Sequence, residues 1–408
     1  MLAFLRGNPK FLRFWMATWC SEFGDWIRNM TLMYMVMDIS NNSAVAVSIN
    51  QFFEFAPIFF LGFFVGVLAD RWNRKRTLVG SIGFRAVVMV LLMVAAYQES
   101  MILVYAVAAL SAIGTVFFRA PQSAFMMQFV PLDDRRQAAN LRQMSTSWMF
   151  VIGPSLGTFL YFELGSVNAL ILTCALFVLA AILLGTIASQ EEEQKNQAPG
   201  GFKGVMQDMG AGFRYSWTNK IVRPILFTNV FLGLGTGIIN VLSIFIITDF
   251  LGMDKSSFSI LVTVQGVSMV VCSLLVAKSK MPTERMLPFG MLIMGVGMAM
   301  TVVYESFYVT GVGVALTSLG NVMFNIGMAT LLQTKVDYQF QGRLNTTVMS
   351  IHNGFMMLSM LAAGWLYETF TIVPVVLGGG SSMILAGILS LIMYAKAVDP
   401  QKENSVGL

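Results

Sequence analysis

The sequence is poor in charge and in cysteine, and each shortage excludes a class of protein. Charged residues make up 12% of the 408 positions, against roughly 25% in a soluble domain, so most of the surface must face lipid. The three cysteines lie far apart without a CxxC pair, which excludes a disulfide framework or a cysteine metal site. No nucleophile–base pair, metal cluster or ATP-binding motif is found, so the sequence predicts neither an enzyme nor an ATP-driven pump, and implies no metal and no cofactor.

The sequence is rich in long apolar segments. A membrane span needs about 20 mostly apolar residues. Twelve segments qualify: 13–38, 45–69, 77–97, 101–129, 141–162, 167–188, 221–249, 257–277, 286–304, 307–333, 344–367 and 371–396. The sequence therefore predicts an all-α membrane protein with twelve transmembrane helices.

One long polar connection, SQEEEQKNQAPGG, interrupts the pattern after the sixth span. We therefore predict an N-terminal six-helix half over 1–188, a cytoplasmic linker over 189–220 and a C-terminal six-helix half over 221–408. Within the linker, apolar residues recur at helical spacing and predict an amphipathic helix on the membrane surface: Phe202, Val205, Met209 and Phe213.

The loops indicate the orientation of the spans. Basic residues are concentrated in one set of loops: Arg71, Arg74, Lys75, Arg76, Arg135, Arg136, Lys278, Lys280, Arg285, Lys335 and Arg343. The opposite loops carry Lys255 as their only basic residue. Because cytoplasmic loops are enriched in lysine and arginine, both termini are predicted to lie in the cytoplasm.

The two halves repeat short features of sequence. Lys10-x-x-Arg13, before the first span, recurs as Lys220-x-x-Arg223 before the seventh. Three polar residues around the fifth span recur around the eleventh at a constant offset: Gln128, Asn140 and Glu163 correspond to Gln333, Asn345 and Glu368. These matches predict a duplicated six-span unit, an arrangement that places a substrate site near the bilayer midplane.

The loop after the second span reads GVLADRWNRKRTL, from Gly66 to Leu78. It resembles the signature loop of the major facilitator superfamily, with Asp70 at the acidic position and Arg71 and Arg74–Lys75 at the basic positions. Gly66 allows close helix approach, and Asp70 can accept charge-assisted hydrogen bonds that lock the cytoplasmic side. The resemblance implies a role in conformational gating; the alternative is a simple stop-transfer cluster of charge.

A second motif lies in the fifth span, where Gly153-Pro154-x-x-Gly157 resembles the end of the antiporter motif of exporters in this superfamily. The match is partial, because the upstream glycines are missing and Thr158 replaces a second terminal glycine. Proline removes a backbone donor and the glycines admit a close neighbour. The motif is predicted to bias the outward-to-inward change, with helix packing alone as the alternative.

Three further segments resemble one branch of the superfamily, the third family of drug:proton antiporters, which holds macrolide efflux pumps and siderophore exporters. They are SEFGDWIRNM in the first span, FFRAPQSAFMMQFVP at the end of the fourth and QGRLNTTVMS before the eleventh. The resemblance implies the twelve-helix fold of the superfamily and proton-driven export.

Ionisable groups inside spans are costly and functional by default. Glu22 and Asp25 stand three residues apart on one face of the first span, and Glu54 lies near the middle of the second. Burial favours the neutral form of a carboxyl, so we predict proton coupling by Asp25 first and by Glu54 and Glu22 next, with Arg119 as the cationic partner. The alternative is that Asp25 and Arg28 form a structural pair and that Glu54 is a hydrogen-bonded core acid.

The second half carries mainly amides at mid-span, together with the only histidine. The predicted substrate cavity draws on both halves: Trp26, Asn29, Asn240, Asn325 and His352. Trp26 can stack on an aromatic or cationic substrate, whereas His352 has the alternative of an ordinary packed residue. Gly233-x-Gly235-x-Gly237 lies in a span without a following lysine, so nucleotide binding is rejected.

These features together predict a multi-pass transporter of the bacterial cytoplasmic membrane, acting as a monomer without a nucleic-acid partner. Its partners are the lipid bilayer, protons and a small-molecule substrate. Export of amphipathic molecules such as macrolides in exchange for protons is the first hypothesis. The alternatives are a dedicated exporter of one metabolite, such as a siderophore, and a lipid flippase; a receptor is disfavoured, because it has no need of acids at the midplane.

Overall fold

A computed structural model of the protein describes residues 2–69, 72–188, 210, 217–219, 222–279, 281–336 and 338–398. The regular structure of these residues is helical, and none of them lies in a strand. This follows from the composition, because a segment in lipid must satisfy its backbone N–H and C=O groups internally. The prediction of an all-α protein is confirmed.

Twelve helices of the described part of the chain have 18 residues or more, and each overlaps one predicted span. They are α1 (Pro9–Ile39), α2 (Ala44–Ala69), α3 (Arg74–Tyr97), α4 (Met101–Arg119), α5 (Arg135–Leu164), α6 (Ser166–Gly185), α7 (Arg223–Phe245), α8 (Phe258–Ala277), α9 (Thr283–Met300), α10 (Phe307–Lys335), α11 (Tyr338–Phe370) and α12 (Ile372–Val398). Two short α-helices, Leu2–Gly7 and Gln122–Met126, are also found in the described part of the chain.

Four helices, α4, α6, α7 and α9, end earlier than predicted, and the local structure after α4 and α7 accounts for two of these differences. The fourth span was expected over 101–129, but α4 ends at Arg119, because Pro121 lacks a backbone N–H and restricts the residue before it. The seventh was expected over 221–249, but α7 ends at Phe245 and a wider π-helical turn follows over Ile246–Phe250.

Eight of the long helices are apolar and long enough to cross a membrane, as judged over the described residues: α2, α3, α4, α6, α7, α8, α10 and α12. In α1 the reason for the lower hydropathy is visible, since Glu22, Asp25 and Arg28 stand near its middle. That α1, α5, α9 and α11 also cross the membrane stays a prediction.

The chain separates into two compact units, Met1–Gly201 and Phe202–Leu408, each with six long helices. In the first unit the most extensive pairings are α1–α5, α1–α6, α2–α4, α3–α4 and α3–α6. In the second unit they are α7–α11, α7–α12, α8–α10, α9–α10 and α9–α12. Each pairing of the first unit recurs six helices later, so the second unit repeats the packing of the first.

The predicted linker over 189–220 and its amphipathic helix lie almost wholly outside the described residues, and those boundaries stay a prediction. The glycines of Gly233-x-Gly235-x-Gly237 lie within α7. A Cβ at Gly233 would stand 3.0 Å from the backbone nitrogen of Met356 in α11, so this glycine lets the two helices touch.

Candidate functional site

Four charged residues on three helices stand close together in the first unit; the two arginines are buried and the two acids are half-buried. Asp25 and Arg28 lie on α1, Glu54 on α2 and Arg85 on α3. We call these four residues the charge cluster. Two carboxylates and two guanidinium groups make its net charge zero when both acids are ionised, which is the condition under which buried charge is tolerable.

The tightest contact of the cluster joins α1 to α3. Nη2 of Arg85 donates to Oδ1 of Asp25, and Nη1 of Arg85 donates to Oγ of Ser21 at 3.0 Å. Ser21, Asp25 and Arg28 share one face of α1 because they recur at helical spacing. Asp25 also lies 3.8 Å from Arg28, an i,i+3 pair.

Arg85 occupies a slot shaped for it. Its side chain is 0% exposed, and its guanidinium lies 4.2 Å from the ring centroid of Phe177 on α6 and 5.8 Å from that of Phe118 on α4. A Cβ at Gly114 of α4 would stand 3.2 Å from Cδ of Arg85, so the glycine makes room for the arginine. Aromatic faces stabilise a cation, but its charge still requires a carboxylate.

Arg85 is absent from the site predicted from the sequence, in which Arg119 is the cationic partner. The rule that singled out the acids applies to it equally, because it stands inside the apolar run of span 77–97. The structure pairs Asp25 with Arg85 and Arg28. Arg119 is exposed at the end of α4, and its role in coupling stays a prediction.

Glu54 joins the cluster through a looser contact. Its Oε1 lies 3.8 Å from Nη2 of Arg28, and the Glu54 side chain is 17% exposed. Among the described residues, neither Oε1 of Glu54 nor Nη1 of Arg28 has a hydrogen-bond partner, although both atoms are buried. Arg28 instead donates to Oδ1 of Asn29, from Nη2 at 2.5 Å and from Nε at 3.2 Å.

Glu22 stands outside the cluster, on a part of α1 that faces α5. It accepts a hydrogen bond from Oγ1 of Thr146 at 3.2 Å, and Arg119 and Arg142 act on it electrostatically. Arg142 itself donates to Oγ of Ser123 at 3.1 Å. The three predicted acids therefore have three different environments.

The antiporter-like motif packs directly on the charged segment of α1. Gly153, Pro154 and Gly157 are all buried within α5, which continues through the proline. A Cβ at Gly157 would lie 2.9 Å from the carbonyl oxygen of Trp26, so the glycine brings the two backbones together. The indole of Trp26 lies over Gly153, and this contact gives Trp26 a packing role beside its predicted contact with substrate.

The predicted gating loop is described in part. Asp70 and Arg71 lie outside the described residues, and Gly66 falls within α2. Arg74 and Lys75 open α3, whose first turn is capped by Asn73, with the backbone N–H of Arg76 donating to its Oδ1 at 2.7 Å.

The polar residues of the second unit have different surroundings. Asn240 and Asn325 are exposed on α7 and α10, and Nδ2 of Asn325 donates to the backbone oxygen of Asn321 at 2.8 Å. His352 is half-buried on α11, and its Nδ1 has no hydrogen-bond partner among the described residues. An ion pair found in this unit, between Glu284 and Lys335 at 3.3 Å, lies at helix ends rather than at mid-span.

A pair of contacts that the sequence analysis did not anticipate recurs in both units. The hydroxyl of Tyr161 on α5 donates to Oδ2 of Asp38 on α1 at 2.6 Å. In the second unit the hydroxyl of Tyr367 on α11 donates to Oδ2 of Asp249, in the turn after α7. We call these two contacts the aspartate–tyrosine clasps.

Both clasps have the same aromatic support. Tyr34 precedes Asp38 by four residues, and its ring centroid lies 5.2 Å from that of Tyr161. Phe245 precedes Asp249 by four residues, and its ring centroid lies 5.2 Å from that of Tyr367. The spacing of aromatic residue and aspartate was the signal in the sequence.

The helical architecture and the buried charges define a multi-pass membrane transporter of the major facilitator type. The chain matches the transmembrane secretion effector family over residues 2–406, and it belongs to that family. The predicted membership of the superfamily is thereby confirmed. The family and the fold are those of membrane transporters, which carry small-molecule substrates, and not those of enzymes.

Known proteins resemble the chain over much of its length. Macrolide efflux protein A of Streptococcus pyogenes is 24% identical over 360 residues, which are 86% of this chain and 86% of that relative. The uncharacterized MFS-type transporter YkuC of Bacillus subtilis (strain 168) is 25% identical over 255 residues, 61% of this chain and 59% of YkuC, less than two thirds of its length. The crystal structure of nucleoside transporter NupG has a TM-score of 0.73 and 14% identity, with 94% of this chain and 99% of that one covered, a likeness of fold.

Proposed function

We propose that the protein exports amphipathic small molecules, macrolides among them, from bacteria by alternating access in exchange for protons. The observation that carries this proposal is the charge cluster, since buried acids paired with arginines are a recurrent means of coupling a proton to a conformational change. The family's description as a secretion effector and the name of the streptococcal relative support export and the substrate class. We place the chain in the cytoplasmic membrane as a monomer with both termini inside.

The mechanism follows from charge balance in the cluster. A proton from outside neutralises one carboxylate, and the attraction between that acid and its arginine is lost. The freed arginine leaves a net positive charge in a low-dielectric interior, which is unfavourable. The helices relax to an arrangement that repairs this imbalance, and release of the proton to the cytoplasm restores the first state.

The motif of α5 gives the cluster a mechanical connection. Because Gly157 touches the backbone of α1 at Trp26, α1 cannot move at Asp25 without displacing α5. We propose that this contact carries the change to the rest of the first unit. Substrate contact is assigned to Trp26, Asn29, Asn240, Asn325 and His352, and cytoplasmic gating to Gly66, Asp70, Arg71, Arg74 and Lys75.

The first experiment measures accumulation of three probes in energised cells that lack their own efflux pumps: the macrolide erythromycin, the cation ethidium and a catechol siderophore. Cells with the wild-type protein, with Asp25→Asn and with an added uncoupler are compared. Proton-driven export is supported if the wild type lowers accumulation and the uncoupler abolishes the difference. Export that persists under the uncoupler would refute proton coupling.

A second candidate is a dedicated exporter of an anionic metabolite such as a siderophore. It is favoured by Arg28, whose buried Nη1 is unpartnered among the described residues and can receive an acidic group. Lower accumulation of the siderophore alone, without an effect on erythromycin or ethidium, supports this candidate over macrolide export.

A further inference from the structure

The two acids of the charge cluster are not equivalent, and the difference is geometric. Asp25 lies between two guanidinium groups, in direct contact with that of Arg85 and 3.8 Å from that of Arg28. Glu54 faces one guanidinium group, that of Arg28, also at 3.8 Å. Within the described residues, Asp25 therefore has a hydrogen-bonded cation and Glu54 has none.

Loss of the ion pair between Arg85 and Asp25 would be costly. Arg85 is held by Ser21 from α1, by the rings of Phe177 and Phe118, and by the space that Gly114 leaves for it, so no rotation within this slot carries it to water. A proton on Asp25 would leave a fully buried guanidinium without a counter-ion, and that state is strongly unfavourable.

Arg28 is placed differently. If Glu54 becomes neutral, Arg28 keeps the hydrogen bonds to Asn29 and the nearby charge of Asp25. Among the described residues, Oε1 of Glu54 accepts no hydrogen bond, so a proton added to that oxygen breaks none. Two further neighbours lie near Glu54. The carboxylate of Asp25 on α1 acts on it electrostatically and opposes a second negative charge. On α4, Tyr105 stacks on the adjacent Phe53 with ring centroids 5.9 Å apart.

We propose that Arg85 is a positioning residue that keeps Asp25 in its ion pair, and that Glu54 is the group that takes up the proton. The proton adds to a carboxylate oxygen of Glu54, and the electrostatic attraction between Glu54 and Arg28 is lost. Arg28 then keeps its ion pair with Asp25 and its hydrogen bonds to Asn29. This inference rests on the proposed proton coupling, and it reverses the order in which the acids were ranked from the sequence.

The test is infrared difference spectroscopy of the purified protein without substrate, between about pH 6 and about pH 9, where exposed carboxylates stay ionised. The carbonyl stretch of a neutral carboxyl is expected in the wild type and is expected to fall to background in Glu54→Gln. Glu163→Gln, at an exposed position after the end of the α5 motif, is the matched control and should leave the band unchanged. A band that survives in Glu54→Gln overturns the proposal.

Three further variants test the role of Arg85. Arg85→Gln removes the cation that fixes Asp25, so a second carboxyl should titrate and the band should roughly double, while Arg85→Lys should restore the wild-type amplitude. The double variant Asp25→Asn with Arg85→Gln deletes both charges together, avoids an unpaired arginine, and should retain the band of Glu54. Loss of the band in the double variant, or no new band in Arg85→Gln, contradicts the assignment.

The same spectra separate two kinds of failure. A wild type with no titrating carboxyl in this range contradicts proton coupling itself, and the proposed function falls with it. A titrating carboxyl that follows Asp25 or Glu22 rather than Glu54 leaves coupling in place and overturns the present inference alone.

Discussion

The two six-helix units share the same helix packing and differ in the polar side chains that they bury. The same five helix pairings recur six helices apart, and an aspartate–tyrosine clasp joins the first and fifth helix of each unit. Yet the first unit buries two arginines at mid-span, whereas the corresponding interior of the second holds amides such as Asn229. The duplicated helix packing therefore carries different buried polar groups in the two units, and the proposed proton coupling concerns the first unit.

The contact between first and fifth helices shows the same divergence in detail. In the first unit the glycines of this contact lie on the fifth helix, at Gly153 and Gly157, opposite the charged segment of α1. In the second unit they lie on the seventh helix, at Gly233 and Gly237, opposite His352 and Met356. The first and fifth helices approach closely in both units, so this contact is part of the helix packing that the two units share.

The comparison is tested most severely by replacing one titratable residue of the candidate site in each unit. Glu54→Gln should reduce uncoupler-sensitive export of erythromycin to background, because a neutral amide cannot exchange a proton. His352→Gln should retain uncoupler-sensitive export and change only its dependence on erythromycin concentration. Accumulation assays in energised cells distinguish the two, and abolished export in both variants would place coupling chemistry in the second unit as well.

The next largest effect concerns stability. Within the part of the chain that the structure describes, Arg85→Met leaves Asp25 with Arg28 alone, at 3.8 Å and without a hydrogen bond. Removal of one partner of a buried pair costs about 3–5 kcal/mol, and the lower end applies because the Asp25 side chain is 19% exposed. In the second unit Asn229→Leu should cost about 1 kcal/mol, since the amide of Asn229 donates to Ile225 within its own helix and to the sulfur of Met328.

Thermal unfolding of the purified variants in detergent measures this difference. Asp25→Asn combined with Arg85→Met should recover much of the loss, because no charge is then left unpaired. Equal losses for Arg85→Met and Asn229→Leu would mean that the buried charges are no more costly to disturb than the amides.

A smaller effect on stability is expected at the glycine contact between the first and fifth helices of each unit. Gly157→Leu forces a side chain against the backbone of Trp26 and should cost about 1–3 kcal/mol by overpacking, together with reduced export. Gly237→Leu in the second unit crowds Ser359 and should cost a similar amount of stability, with the protonation band of Glu54 intact.

Gly185→Ala is the control for both glycine substitutions, since a Cβ there meets nothing within 4 Å. The expectation for Gly157 is refuted if Gly157→Leu lowers the unfolding temperature without any change in export. In that case the motif of α5 is packing alone, the alternative that the sequence left open.

The sequence predicted what depends on local pattern and missed what depends on partners distant in the chain. Apolar runs located all twelve long helices, and their ends were misplaced where Pro121 and the turn after Phe245 intervene. Glu22, Asp25 and Glu54 stood out by chemistry alone. The pairing of Asp25 with Arg85 spans 60 positions and two helices, so residue spacing could not reveal it. The aspartate–tyrosine clasps could not be predicted for the same reason: each partner on its own is an ordinary polar residue near a helix end.

The smallest effect is expected for the aspartate–tyrosine clasps. It tests whether they only stabilise the helix packing or also take part in transport. Tyr161→Phe and Tyr367→Phe each delete one hydrogen bond to a carboxylate near a helix end, where water competes, so each should cost about 1 kcal/mol or less. Both variants should keep proton-driven export, and the double variant should lower the unfolding temperature by the sum of the single effects if the clasps are independent. Two variants of Tyr34 test the supporting ring in the first unit. Tyr34→Leu removes the aromatic contact with Tyr161 and the hydrogen bond to Thr158 while Asp38 keeps its donor, and Tyr34→Phe removes the hydrogen bond alone. Loss of export in one tyrosine variant alone would show that the repeat has diverged at the clasp too, and the asymmetry between the units would then extend from the charge cluster to the helix ends.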